Sequence, residues 1–348
     1  MSESNYFLQR NNKNILKLKE VLRTLPFFMN EYFVGIEART TPLTRINYAN
    51  DLKIFFDYLV KEVPDFFDKQ ITQLTTEDLN KITASHIEAY LSYLNYYTYN
   101  GQTYTNNERA KARKLSAIRS MLKYFFKKEK IVSNVSTKVE VPKIHDKEII
   151  RLEVDEVVKL IDQAEHADQL TKMQQSFNKH TKVRDVAILT LFLGTGIRIS
   201  ELVGLNIEDL DFNVNGFKIT RKGGNQVVLY FSDEVRNALL HYLEERTNDQ
   251  DIPKDERALF ISLQHKRIGV RTVEKLVKKY SSVVTPLKHI TPHKLRSTYG
   301  TNLYRETQDI YIVADVLGHK DVNTTKKHYA AISEDARRSV ASKVKLRD

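Results

Sequence analysis

The chain has 348 residues, enough for two domains with sizeable cores, and no cysteine, which excludes disulfides, thiolate zinc sites and cysteine nucleophiles. Its formal net charge is +11, from 55 Lys+Arg against 44 Asp+Glu, and the excess is no tail, because the first 140 residues already hold 21 basic against 15 acidic side chains. An acidic partner touched by both halves follows, nucleic acid being the commonest, while no run approaches the roughly 20 apolar residues of a membrane span. The N-terminus is polar and lacks a signal-peptide pattern, so the expectation is a soluble cytoplasmic protein without a membrane partner.

In chain order, residues 1–39 carry an apolar-periodic segment interrupted at Pro26, which predicts two short helices. Tyr48, Leu52, Phe55 and Leu59 predict a helix over Thr44 to Lys61. Thr83 can cap a third, with Ile87, Tyr90, Leu91 and Leu94 on its buried side. Residues 98–107, TYNGQTYTNN, read as a polar turn-rich loop. The most basic helix follows, from about Glu108 to Lys130, with Leu115, Ile118, Leu122 and Phe125 as its apolar stripe.

A charge run is usually a solvated face. Here acidic partners at helical spacing are nearly absent, only Glu108 and Glu129, so a phosphate-facing surface is the better expectation, with Arg109, Arg113, Lys114 and Lys123 as candidate DNA-binding residues. Residues 131–150 break periodicity and contain Pro142. This places an N-terminal helical domain at 1–140, a linker at 141–150 and a second domain at 151–348. In that domain RLEVDEVVKLIDQAE, VRDVAILTLFLGTG, SDEVRNALLHYLEER and TVEKLVKKYSSVV predict helices. FKITRKGGNQVVLYF, residues 217–231, is the only clear hairpin, with Lys222 just before its GG turn.

The most informative stretch runs from Thr291 to Tyr329. Thr291 and Pro292 suit a helix start, and His293 and Arg296, three apart, should share a face. VADVL is a helical turn stopped by Gly318, His319 follows at once, and Tyr329 stands ten residues on. Such a set suits a phosphodiester. Arg offers a planar fork to phosphate oxygens, imidazoles move protons, and a tyrosine hydroxyl can be a nucleophile. Taken singly, each has an ordinary reading as a cap, a surface group or a packing ring. Upstream, Arg198 after the GTG turn offers a second cation with Glu201 three residues on, and Lys222 offers a proton donor. The ordinary readings are a surface ion pair and a solvated turn lysine, and spacing alone leaves both pairs of readings open.

TGIRISELVGL, a Lys on the hairpin, TPHKLRSTYGT, LGH and the final HYA, in that order from about Thr40 to Ala330, resemble the tyrosine site-specific recombinases of the phage integrase family. The N-terminal segment LPFFMNEYFVGIEARTTPLTRINYANDLKIFFDYL resembles the single-recombinase Xer proteins of XerS type. A local departure is RKGG where a GKG-type turn is more usual. The resemblance implies a mainly α fold, with an N-terminal helical-bundle (SAM-like) core-binding domain and a C-terminal α-rich catalytic domain with a small antiparallel β-sheet. It implies Tyr329 as the nucleophile forming a 3′-phosphotyrosyl link, Arg198 and Arg296 as transition-state stabilisers, and Lys222 as leaving-group acid. His293 would be general base, His319 a hydrogen-bond donor to phosphate, and Glu201 a support. No ATP, cofactor or metal is implied.

The residues themselves carry no carboxylate cluster of the two-metal kind and no Gly-rich phosphate loop. Two basic domains could close on a duplex as a clamp. Ile332, Ala336, Val340 and Val344 predict an amphipathic tail helix, either packed on its own domain or, as the resemblance implies, exchanged between protomers in a homotetramer on two duplexes. The expected partner is double-stranded DNA with a specific recombination site, and the resemblance adds a cell-division DNA translocase as activator. The expected role is Xer-like chromosome dimer resolution, which the short N-terminus favours. The alternatives are integration or excision of a mobile element, a type IB topoisomerase, and a non-catalytic DNA-binding protein of the same fold.

Overall fold

The computed structural model describes residues 5–144, 150–221, 224–318 and 322, and the chain divides into two units, Met1–Lys147 and Glu148–Asp348. Helix makes up 62% of it, with two small antiparallel sheets. No helix among the described residues is long and apolar enough to cross a membrane. The tail positions Ile332, Ala336, Val340 and Val344, and residues 145–149 of the expected linker, lie outside the described residues.

The first unit holds α1 (Asn5–Leu22), α2 (Met29–Gly35), α3 (Pro42–Glu62), α4 (Ala84–Tyr93), β1 (Tyr97–Tyr99), β2 (Gln102–Tyr104) and α5 (Glu108–Lys127). Helix starts fall where a side-chain oxygen can accept a free backbone N–H. Thr41 accepts from Thr44, so α3 begins two residues before the expected Thr44, with Pro42 in its first turn. Thr83 accepts from His86 and Asn107 from Ala110. Helix α5 stops at Lys127 rather than Lys130, and Glu129 takes a φ of 57°. Helix α3 packs on α1 and α5, and Met29, Tyr32, Phe55, Phe56, Ile118 and Phe125 are fully buried in the shared core.

The stretch read as a loop at 98–107 instead contains a hairpin. Tyr97 pairs with Tyr104 and Tyr99 with Gln102. Asn100 and Gly101 both have positive φ, 50° and 74°, as a two-residue hairpin turn of the right twist requires. Its strands are too polar to show an apolar alternation, and the stacked Tyr97 and Tyr104 rings supply the cross-strand contact.

The second unit holds α6 (Val154–His166), α7 (Lys172–Asn178), α8 (Lys182–Thr195), α9 (Ile199–Gly204), β3 (Leu210–Asp211), β4 (Gly216–Thr220), β5 (Gln226–Tyr230), α10 (Asp233–Asn248), α11 (Val270–Val284), α12 (Pro292–Thr307) and α13 (Ile310–Leu317). The three strands form one antiparallel sheet in the order β3-β4-β5, with Phe217 opposite Leu229 and Thr220 opposite Gln226. Helix α8 is apolar on all sides, and Ala187, Ile188, Leu189, Leu191 and Phe192 are fully buried beneath α6, α10 and α12. Its start is pinned by Asp185, whose carboxylate accepts from Arg184 at 2.7 Å, Lys279 at 3.0 Å, Tyr280 Oη at 2.7 Å and Thr181 at 3.1 Å. Burial, reinforced by the Asp185 charge, pushes the Tyr280 hydroxyl far above its ordinary pKa, so it stays a donor.

That carboxylate is the polar centre on which α8 and α11 agree. Asp185→Ala strands two cations and is expected to destabilise the second unit by about 3–5 kcal/mol in urea denaturation. Lys159→Ala, which removes an exposed pair with Asp155, should leave the midpoint unchanged.

Candidate active site

The turn after α8 is built on Gly196, which has a φ of +61° and donates its N–H to Phe192. A Cβ there would come within 2.4 Å of the Tyr299 ring, so both the backbone angle and the close approach call for glycine. Two residues on, Arg198 starts α9. Its backbone N–H donates to one oxygen of Glu201 at 3.0 Å and its guanidinium to the other at 2.8 Å. The Glu201 side chain is only 5% exposed, so this is no solvated surface pair; one buried carboxylate fixes both ends of the arginine.

Arg296 lies on α12. Pro292 opens that helix and Thr291 holds the cap position, although its side chain makes no capping hydrogen bond. Arg296 is 5% exposed and its guanidinium donates to the carbonyls of Gly196 and Leu317. Arg198 donates to Leu317 at 3.1 Å and to the Gly318 carbonyl at 3.0 Å. Both arginines therefore close on the C-terminal end of α13. Asp309 starts that helix by accepting from Tyr311 and Ile312, and Gly318 ends it with a φ of +60°. Helix ends of this polarity leave carbonyls unpaired and partly negative, which is what a guanidinium seeks.

A third arginine, absent from the sequence expectations, joins them. Arg221 follows β4 and donates to the carbonyls of Val316 at 2.6 Å and Asp315 at 3.2 Å. Burial lowers its pKa, the neighbouring Arg198 charge acts in the same direction, and Glu201 and Asp315 oppose both. The available signal was the arginine of RKGG, where a small residue is more usual.

Of the expected catalytic set, Arg198 and Arg296 thus meet at one place, next in sequence to His319, with the expected support Glu201 holding Arg198. His293 is exposed whereas Arg296 is buried; three residues differ by about 60° around a helix, enough to separate the two depths. Lys222, His319 and Tyr329 lie outside the described residues. What is described can receive an anion of spread charge: planar donors, preset in direction, on backbone oxygens that a phosphate can replace. Asp249, Asp251 and His265 are the one group of metal-ligand type among the described residues. It is largely exposed and already contains a His265–Asp249 pair at 3.4 Å.

The basic helix of the first unit needs a correction. Lys114 does not face solvent: its side chain is 5% exposed and its ammonium lies 3.0 Å from Asp51 of α3, a carboxylate that is itself 2% exposed. Arg113 reaches the same carboxylate at 2.9 Å but stays half exposed, and Arg109 and Lys123 are exposed. Acidic partners scarce along the helix are supplied by α3 and, for Lys130, by Glu31 of α2. Of the outward cations, Lys123 lines a groove of about 1030 Å³, bordered also by Arg39, Arg119, Lys127 and Lys128.

Comparison with known proteins gives a consistent likeness. Residues 151–335 match the model of the phage integrase family. The chain is 33% identical to tyrosine recombinase XerC of Caldanaerobacter subterraneus subsp. tengcongensis, over 89% of this chain and 84% of that protein. It is 29% identical to tyrosine recombinase XerS of Lactococcus lactis subsp. cremoris, over 95% of this chain and 98% of that one. Among solved structures, the XerH site-specific recombinase bound to palindromic difH substrate superposes with a TM-score of 0.62 at 17% identity, covering 86% of this chain and 80% of that chain, a likeness of fold.

The two kinds of lysine on α5 should separate experimentally. Lys114→Ala is expected to destabilise the first unit by about 1–3 kcal/mol, since it takes from the buried Asp51 its one buried cation and leaves only the half-exposed Arg113. Lys123→Ala should leave stability intact and reduce the slope of log affinity for duplex DNA against log salt by about 0.9.

Proposed function

The chain belongs to the phage integrase family of tyrosine recombinases, and on that premise we propose that it cuts and rejoins duplex DNA at a specific site through a 3′-phosphotyrosyl intermediate. Tyr329 attacks the scissile phosphorus, the bond to the 5′-oxygen breaks, and the attack of another strand's 5′-hydroxyl on the phosphotyrosine completes exchange. The observation that carries the reading is the closure of Arg198 and Arg296 on one helix end, with Glu201 behind Arg198. On arrival of a phosphate these guanidinium groups exchange backbone carbonyls for phosphate oxygens and neutralise the charge that builds in the transition state. Lys222 protonates the leaving oxygen, His293 takes the tyrosine proton, and His319 donates to the phosphate. The link conserves the phosphodiester's energy, so the step draws on neither ATP nor a metal.

The N-terminal part, 1–140, is the core-binding domain, and it presents the groove with Lys123, together with the exposed Arg109 and Arg113 outside that groove, to the DNA backbone. The part from 151 on carries the chemistry. Likeness to XerC and XerS over most of their length supports a Xer-like role, chromosome dimer resolution in the cytoplasm. Within it, four protomers act on two duplexes, linked by the C-terminal helix, and a cell-division DNA translocase activates them.

Covalent capture tests the chemistry. A duplex selected by the protein from a randomised library is nicked beside the cleavage point, incubated with the protein and denatured. A retarded protein–DNA band is expected, and Tyr329→Phe should abolish it; persistence of the band in that variant overturns the assignment. Arg198→Ala and Arg296→Ala should each slow capture by about 10²–10³-fold while keeping most of the DNA affinity.

A further inference from the structure

We propose that Arg221 is a positioning residue for strand cleavage: it clamps the end of β4 to the C-terminal turn of α13, the same turn on which Arg198 and Arg296 close. The inference rests on the reading above and deepens it. Arg221 comes from the sheet, Arg198 from the start of α9 and Arg296 from α12, so three separate elements meet on four consecutive residues, Asp315 to Gly318.

Several features distinguish this clamp from a casual contact of a turn arginine. The guanidinium lies against the Cα of Gly318: a Cβ there would fall within 2.3 Å of Nη1 and 2.4 Å of Cζ. Gly318 is called for by its φ of +60°, and the missing Cβ also leaves the room in which the guanidinium lies. The Arg221 Nε is buried with no hydrogen-bond partner among the described residues. A side chain at a hairpin end could relieve that desolvation by swinging into water, and two hydrogen bonds to α13 hold it in place instead. Its charge is also held beside that of Arg198, against their mutual repulsion. Arg221 takes the carbonyls of Asp315 and Val316, whereas Arg198 and Arg296 take those of Leu317 and Gly318, so the three guanidinium groups divide the helix end between them.

The consequence follows from chain connectivity. The residue after Arg221 is Lys222, the proposed leaving-group acid, and the residue after Gly318 is His319. Anchoring the head of Arg221 on α13 ties the hairpin end to the place where the arginine pair would hold the phosphate. Loss of the clamp should show at leaving-group departure, because misplacing an acid by about 1 Å is enough to lose roughly two orders of magnitude in rate.

The test compares two nicked duplexes of the selected sequence, one with the natural 5′-oxygen at the scissile position and one with a bridging sulfur. When the P–O5′ bond breaks, the oxygen leaves with a proton from the acid. When the P–S bond breaks, sulfur leaves as a thiolate and needs none. Single-turnover capture by Arg221→Ala should fall about 100-fold on the oxygen substrate and less than about threefold on the sulfur substrate. Arg221→Lys, which keeps the charge and part of the reach, should recover part of the oxygen rate. DNA affinity and thermal midpoint, measured alongside, establish that the variants are folded. Equal slowing on both substrates overturns the proposal and leaves Arg221 a helix cap; no slowing on either overturns it as well. Lys222→Ala separates the two readings. If sulfur rescues Lys222→Ala but not Arg221→Ala, the clamp falls alone. If sulfur does not rescue Lys222→Ala, the assignment of the acid falls and the clamp with it.

Discussion

Like charges crowded into a small volume must be given something to hold. At the end of α13 three guanidinium groups meet, and Glu201 is the carboxylate that pairs directly with one of them. Two unit charges about 5 Å apart repel by roughly 3 kcal/mol at the effective dielectric of a protein surface. The carbonyls from Asp315 to Gly318, at the partly negative end of a helix, offset that repulsion without neutralising the charges. Much of the second unit can be read as the means to this end. The apolar α8 delivers Gly196, the cap on α9 aims Arg198, the fully buried Leu295 seats α12 beside Arg296, and the αL residue Gly318 leaves the carbonyls open.

The arrangement also explains how a cationic site remains ordered without its anion. Backbone oxygens are weaker acceptors than a phosphate and do not travel, so the guanidinium planes stay set while the exchange remains favourable. The first unit uses its charge differently. Part of the positive excess of α5 is spent internally, on Asp51 and Glu108, and part faces the groove beside Lys123 and Lys127.

What could be read from residues alone divides along the line between local and distant causes. Thr83 and Gly318 act on the backbone next to them, and their roles as cap and stop were legible. The apolar stripe of α5 and the hairpin at 217–231 were legible because periodicity is a local signal. The fate of Lys114 was not, because its partner Asp51 lies 63 residues away and spacing along one helix is blind to it. The Asn100–Gly101 hairpin escaped for the opposite reason: its turn chemistry was present, but tyrosines and polar residues stood where alternation was sought. In the site, the Arg198–Glu201 pair was visible at three residues' spacing, while its depth was not. Arg221 could be found only once β4 and α13 were seen to meet, since nothing between residues 221 and 315 announces that they touch.

Asp51 has a bearing on the neighbouring helix that reaches past the ion pair itself. Turning α5 about its axis by one residue, roughly 100°, would carry Lys114 away from the buried Asp51 and put either the apolar Leu115 or the larger Arg113 in its place. The azimuth of the helix is therefore constrained from inside, by one acidic group on α3 that holds two adjacent cations. Which of its many cations look outward is settled before any external molecule comes near.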